Sequence, residues 1–379
     1  MVGGSAGYVN NRSDFESPIL LSNQVKQSID VYEGIMYGIT VSSDESLFAT
    51  VGVDSNTTNQ TPQIIKLWKS DHKPLVPYRS FVAHDSYIHS LDFLPSSPLL
   101  ASCSSQLCIY DYTKNTLVSQ CKSMTGPFTC MASSATSVTA KGVAGSYSWQ
   151  QLYCATRTNE VLCYDIRQKF YDAKLSASFP CSNHLDQPRL TPTGESHTIP
   201  VISAIATFED SYFCIGWSNG LIQILSQRIA GCVFEWQAHL KAIAKIVFIS
   251  KNKLVTICID GAISVWKLLP NETPSLIARF VNLPSVSNIH TVSISNYGMG
   301  LGVVATLGDN IYANNELDLR DYMIQNNGDV QVLPLNPNSL CDGITSSPLN
   351  KLYLSTNCIC PMRRIALCGS ENGKLYVVQ

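Results

Sequence analysis

Residues Leu254–Pro270 read LVTICIDGAISVWKLLP. A β-branched apolar run, a turn at Asp260-Gly261 and a second alternating run ending at Trp266 make this a strand, a tight turn and a strand. The phrase is not unique in the chain. Variants of it stand at Leu47–Ser70 (LFATVGV…QIIKLWKS), Leu99–Lys114 (LLASCSSQLCIYDYTK) and Leu152–Gln168 (LYCATRTNEVLCYDIRQ). Others follow at Tyr212–Gln227 (YFCIGWSNGLIQILSQ), Leu301–Asn315 (LGVVATLGDNIYANN) and Ile365–Gln379 (IALCGSENGKLYVVQ), which with the first makes seven.

An alternating apolar segment precedes each phrase: YGITVSSD, IHSLDFLP, FTCMASS, VISAIATF, IAKIVFIS and HTVSISNY, with NCICPM the least clear. A three-strand meander recurring at intervals of roughly 40–60 residues is the pattern of propeller blades. The predicted fold is therefore all-β, a single seven-bladed β-propeller. The chain ends on KLYVVQ, a third strand with nothing left to supply a fourth. An open ring would expose a raw sheet edge there. The apolar segment SPILLSNQV (Ser17–Val25) is expected to supply the missing strand, with residues 1–16 loose and 17–379 forming the propeller. Polar inserts widen the first hairpin (DSNTTNQTPQ) and the third repeat (SATSVTAKGVAGSYSWQ), and SNHLDQPRLTPTGESHTI separates the third repeat from the fourth. The stretch from Ala313 to Asn357, with Pro334, Pro337 and Pro348, reads as a long surface connection.

Composition narrows the function. Charged residues make up 14% of the chain and the net charge is −2, against about 25% charged in typical domains. No field of that size draws nucleic acid or an anionic membrane surface. No run is long and apolar enough for a helical membrane span, and the first residues carry no basic-then-apolar export pattern. The 14 cysteines are not spaced as a disulfide framework. Cys103, Cys214, Cys258 and Cys368 recur at similar points in strand phrases and read as small buried hydrophobes. The expected setting is intracellular, with reduced thiols.

Catalytic signatures are absent. There is no P-loop, G-x-S-x-G or H-E-x-x-H pattern. GSENGK (Gly369–Lys374) is a strand–turn–strand without the helix that a phosphate cradle needs. Cys358 and Cys360 lack a second ligand pair at zinc spacing. Arg363-Arg364 is a solvated turn, and no basic stripe is interleaved with aromatics. The chain is expected to be no enzyme, to use no cofactor, metal or small-molecule substrate, and to make no direct nucleic-acid contact.

Two repeats carry an Ala-His pair shortly before the inner strand, at His84 in FVAHDSYIHSLDF and His239 in EWQAHLKAIAKIVF. In this the chain resembles the WD-repeat (WD40-type) family, whose repeats run from a Gly-His-like to a Trp-Asp-like pair. The resemblance implies a hydrogen-bond set of His, Ser/Thr, Asp and Trp bracing each blade. His239, Thr256, Asp260 and Trp266 match it in full. The repeat with His84 and Tyr110-Asp111 lacks the turn Asp. Tyr164-Asp165-Ile166-Arg167 is similar to the W-D-x-R box of cullin-ligase substrate receptors, making Asp165 and Arg167 candidate partner contacts. The order of features is also similar to the small WD nucleoporins of the Y-shaped outer ring of the nuclear pore. These features are the widened first hairpin, CYDIRQ, AHLKAIAKIVF and the closing ALCGSENGKLYVV. That likeness implies a non-enzymatic scaffold subunit that docks on other Y-complex proteins at the nuclear envelope, and at kinetochores during open mitosis. A cullin substrate receptor or a coat or trafficking propeller, cytoplasmic in location, is the alternative.

Overall fold

The computed structural model describes residues 25–378 except for short turns and the segments 137–148, 183–198, 281–290, 319–332 and 335–353. Side chains of residues 291–334 and 354–360 lie outside the described set. Strand β1 (Val25–Asp30) comes first. Then come blade 1 with β2 (Met36–Val41), β3 (Leu47–Val53), β4 (Gln63–Lys69) and β5 (Pro77–His84), and blade 2 with β6 (Ser90–Phe93), β7 (Leu99–Cys103), β8 (Gln106–Asp111) and β9 (Thr116–Lys122). Blade 3 has β10 (Phe128–Thr136), β11 (Trp149–Thr156), β12 (Glu160–Arg167) and β13 (Ala173–Pro180). Blade 4 has β14 (Ile202–Phe208), β15 (Tyr212–Trp217), β16 (Leu221–Ser226) and β17 (Gly231–Gln237). Blade 5 has β18 (Ile243–Ser250), β19 (Lys253–Cys258), β20 (Ile263–Lys267) and β21 (Ser275–Phe280). Blade 6 has β22 (Thr291–Tyr297), β23 (Gly300–Leu307), β24 (Asn310–Asp318) and β25 (Leu333–Pro334). Blade 7 has β26 (Leu354–Cys360), β27 (Ile365–Ser370) and β28 (Lys374–Val378).

Each blade is a four-stranded antiparallel meander, and the seventh takes β1 as its fourth strand, in the order β26-β27-β28-β1. Every innermost strand touches the innermost strand of the blades on both sides, β26 against β2 included, so the seven close into a ring. The chain is a β-propeller.

The closing strand is Val25–Asp30, not the apolar Ser17–Val25 expected from sequence; residues before Val25, the expected loose stretch 1–16 among them, lie outside the described residues. Ser28 pairs with Tyr376 and Ile29 with Leu375. VKQSID is mostly polar because the outermost strand of a blade buries little, and Ile29 packs into the apolar cluster of blades 7 and 1. A search for a strongly apolar strand passes over such a segment. The connection expected from Ala313 onward also begins later, since β24 runs to Asp318.

In the blades whose side chains are described, the second and third strands are largely apolar on both faces because the core is a set of wedges between blades. Along β7, Leu99, Ala101 and Cys103 pack toward blade 3, while Leu100 packs toward blade 1. The same division recurs between blades 3 and 4, 4 and 5, and 7 and 1. Cys103, Cys214, Cys258 and Cys368 sit fully buried in these strands as free thiols.

Candidate functional site

A register shift falls just before one residue of the third strand in five blades, which marks equivalent positions: Trp68, Tyr110, Tyr164, Leu225 and Trp266. Across the ladder, two residues beyond their partners, stand Thr50, Ser102, Cys154, Ile215 and Thr256. Where that residue is a hydroxyl, it gathers hydrogen bonds. In blade 5, Trp266 Nε1 donates to Thr256 Oγ1 at 2.9 Å and His239 Nε2 lies 2.8 Å from the same oxygen. In blade 2, His84 Nε2 lies 2.7 Å from Ser102 Oγ, and the Tyr110 hydroxyl donates to the Ala83 carbonyl at 3.1 Å.

Blade 1 builds the same brace without a histidine. Trp68 Nε1 donates to Thr50 Oγ1 at 3.0 Å, and the Tyr32 hydroxyl sits 3.0 Å from Oγ1 while donating to the Thr50 carbonyl at 2.9 Å. Lys66 Nζ lies over the Tyr32 ring, 4.3 Å from its centre, and is paired with Asp54 at 2.9 Å. The sequence reading missed this set. In blades 3 and 4, Cys154 and Ile215 make the equivalent position apolar.

Burial leaves the two histidines neutral. It lowers His84 and His239 to about 4, with Asp85 opposing the shift at His84, and Arg279 adding to it and Asp260 opposing it at His239. Asp260 is placed apart from the brace: its Oδ1 accepts the Ala262 N–H at 3.0 Å within the turn. Burial works against its charge, but the Cys258 thiol, the Ala262 N–H, His239 and Lys241 outweigh it and hold the carboxyl below its ordinary value.

Turn residues with positive φ hold the loops that carry these side chains. The Gly220 carbonyl accepts the N–H groups of Ala238 and His239, and the Gly373 carbonyl those of Val31 and Tyr32. A Cβ at Gly220 would lie 2.0 Å from the His239 carbonyl oxygen, and one at Gly373 equally close to that of Tyr32. In blades 4 and 7 the second turn thus fixes the loop leading into the next blade. Asn159, at φ 63°, does this work in blade 3, donating to the Pro200 carbonyl and accepting from Ile202 N–H.

Those inter-blade loops share one face, and they present apolar side chains to solvent. Ile35, Tyr87, Met124, Ile199 and Leu240 lead into blades 1 to 5 in turn. Met124, Leu240 and Ile199 are 96%, 87% and 75% exposed, more than any other described large hydrophobic residue. In the channel below, Asp92 of β6 accepts from Thr40 Oγ1 of β2 at 3.3 Å and Ser133 Oγ of β10 at 3.5 Å. Burial raises its pKa, and Lys245 of β18 opposes the rise. A lone acid in an inner-strand phrase was the signal for Asp92 in the sequence. Asp165 is half-buried in the β12 ladder, between Gln151 and Lys174. Arg167 ends β12, and its side chain lies outside the described residues.

Comparisons with known proteins agree with this geometry. Residues 75–111, from the outer strand of blade 1 to Asp111, match the WD40 family (WD domain, G-beta repeat). The chain is thus a β-propeller carrying a WD40 repeat. It is 20% identical over 380 residues to Protein GFS12 of Arabidopsis thaliana, covering 93% of this chain and 22% of that protein's length. Among solved structures it resembles the Cps50 (Swd1) β-propeller domain of Myceliophteria thermophila. That likeness has a TM-score of 0.62 at 12% identity, over 94% of this chain and 98% of the other.

Proposed function

We propose that this chain is a non-enzymatic scaffold subunit that docks other proteins on the face formed by its inter-blade loops. The observation that carries the reading is the repeated exposure of Ile35, Tyr87, Met124, Ile199 and Leu240 on that one face. Isolated surface hydrophobes are ordinary, but recurrence on one loop face of a rigid frame is what an interaction surface needs. In its finer form the reading is a structural nucleoporin of the Y-shaped outer ring, like nucleoporin forty-three, resident at the nuclear envelope. Support for it comes from the order of repeats and inserts along the sequence.

Purification and imaging of the tagged chain test both levels. Wild type should recover outer-ring subunits and mark the nuclear rim. Met124→Asp with Leu240→Asp should weaken that capture by about tenfold or more while leaving the melting temperature unchanged, as removal of exposed contact anchors does. Arg167→Glu should change neither. A diffuse protein that co-purifies with a cullin adaptor and loses it on Arg167→Glu would replace the nucleoporin reading with the ligase-receptor one. Recovery of coat subunits would equally displace it.

A further inference from the structure

We propose that His239, Cys258 and Asp260 form a binding site for a divalent cation of the zinc class at the loop face of blade 5. The Nδ1 or Nε2, Sγ and carboxylate atoms of the three residues lie within 4.8 Å of one another. His239 is 2% exposed, yet its Nδ1 has no hydrogen-bond partner. Its other nitrogen is occupied at Thr256 Oγ1, which fixes the ring. A ligating histidine held through its far nitrogen by a second residue is the arrangement metal sites use.

The donor set selects the ion. One nitrogen, one sulfur and one oxygen suit zinc, with hard cations such as magnesium and calcium excluded by the sulfur and nitrogen. Tetrahedral zinc, with bonds of roughly 2.0–2.3 Å, separates its ligand atoms by about 3.5 Å. From the 4.8 Å limit the closure required is at most about 1.3 Å. Binding forms a zinc–sulfur bond and releases the Cys258 thiol proton to water. The resulting thiolate and the Asp260 carboxylate together carry the charge that the cation neutralises, beside Lys241 and Arg279. Asp260 is only partly buried, so the fourth position opens to solvent.

Cobalt(II) titration of the reduced full chain tests the site. One equivalent should bring up the thiolate-to-cobalt charge-transfer band and the visible bands of a four-coordinate ion, and zinc should displace it. Cys258→Ser should abolish the charge-transfer band, and Asp260→Asn should weaken binding by about tenfold or more. Cys232→Ser, which removes an exposed thiol elsewhere, should leave both unchanged. No band in the wild type, a band that survives Cys258→Ser, or unchanged affinity in Asp260→Asn overturns the proposal. Asp260→Asn alters only a partly exposed turn and keeps the test decisive should Cys258→Ser fold poorly.

Discussion

Thr256 and Thr50 each answer to a buried indole N–H and to a second polar ring, all of them buried. Valine has the same shape and offers neither acceptor nor donor. Thr50→Val should therefore destabilise the protein by about 1–3 kcal/mol, the cost of leaving Trp68 Nε1 unpaired, while the Tyr32 hydroxyl keeps its bond to the Thr50 carbonyl. Denaturant unfolding measures it, and Ile64→Val in the same wedge is the control for lost packing alone. An effect no larger than the control would mean that the brace contributes nothing. The blade 5 set was legible in sequence because His239, Thr256 and Trp266 fall at the spacing of an unwidened hairpin. Blade 1 hides its set twice over. A phenol replaces the imidazole, and the polar insert moves Trp68 to eighteen residues beyond Thr50, where Trp266 is ten beyond Thr256.

Strand β1 is the element on which closure rests. It covers the edge of β28 and inserts Ile29 beside Val31, Leu375 and Val377. Deleting residues 1–30 should cost at least about 3 kcal/mol, through the lost Ile29 contacts and the unpaired β28 backbone. A deletion that stops at residue 24 leaves β1 in place and isolates its contribution. Equal melting temperatures for the two truncations would deny β1 that role. Repeat number and strand order were readable because two-sided burial makes the second and third strands of most described blades largely apolar runs. Outer strands were not, since a strand half in water needs only one or two inward residues, as Ile29 in VKQSID and Phe81 in PYRSFVAH illustrate.

At the scale of the whole ring, the buried histidines set how the fold responds to acid. His84 braces blade 2 and His239 blade 5, and both are lowered from 6.5 to about 4. Above pH 6.5 the imidazoles are neutral whether the chain is folded or not, and their contribution to stability is whole. As pH falls from 6.5 toward 4, the unfolded chain takes up protons at both positions that the folded chain refuses, and His89, lowered by burial and by Arg157, adds to the loss. Stability is then lost by about 3 kcal/mol for each of His84 and His239 at pH 4. The carboxyls of Asp44, Asp111 and Asp260 are held below their ordinary 3.8, so they stay charged through this window and give way only beneath it. Asp92 is raised, its burial opposed by Lys245, Thr40 and Ser133, and works in the opposite direction, since its neutral form is the one the channel favours. Unfolding followed between pH 7.5 and 4 should accordingly show a loss that begins near 6.5, above the ordinary range of a carboxylate. His84→Gln keeps a hydrogen-bond partner for Ser102 but cannot titrate, and it should reduce the slope. A profile flat down to pH 4.5, or one unmoved by His84→Gln, would mean that these rings are already charged or already reached by water in the folded ring.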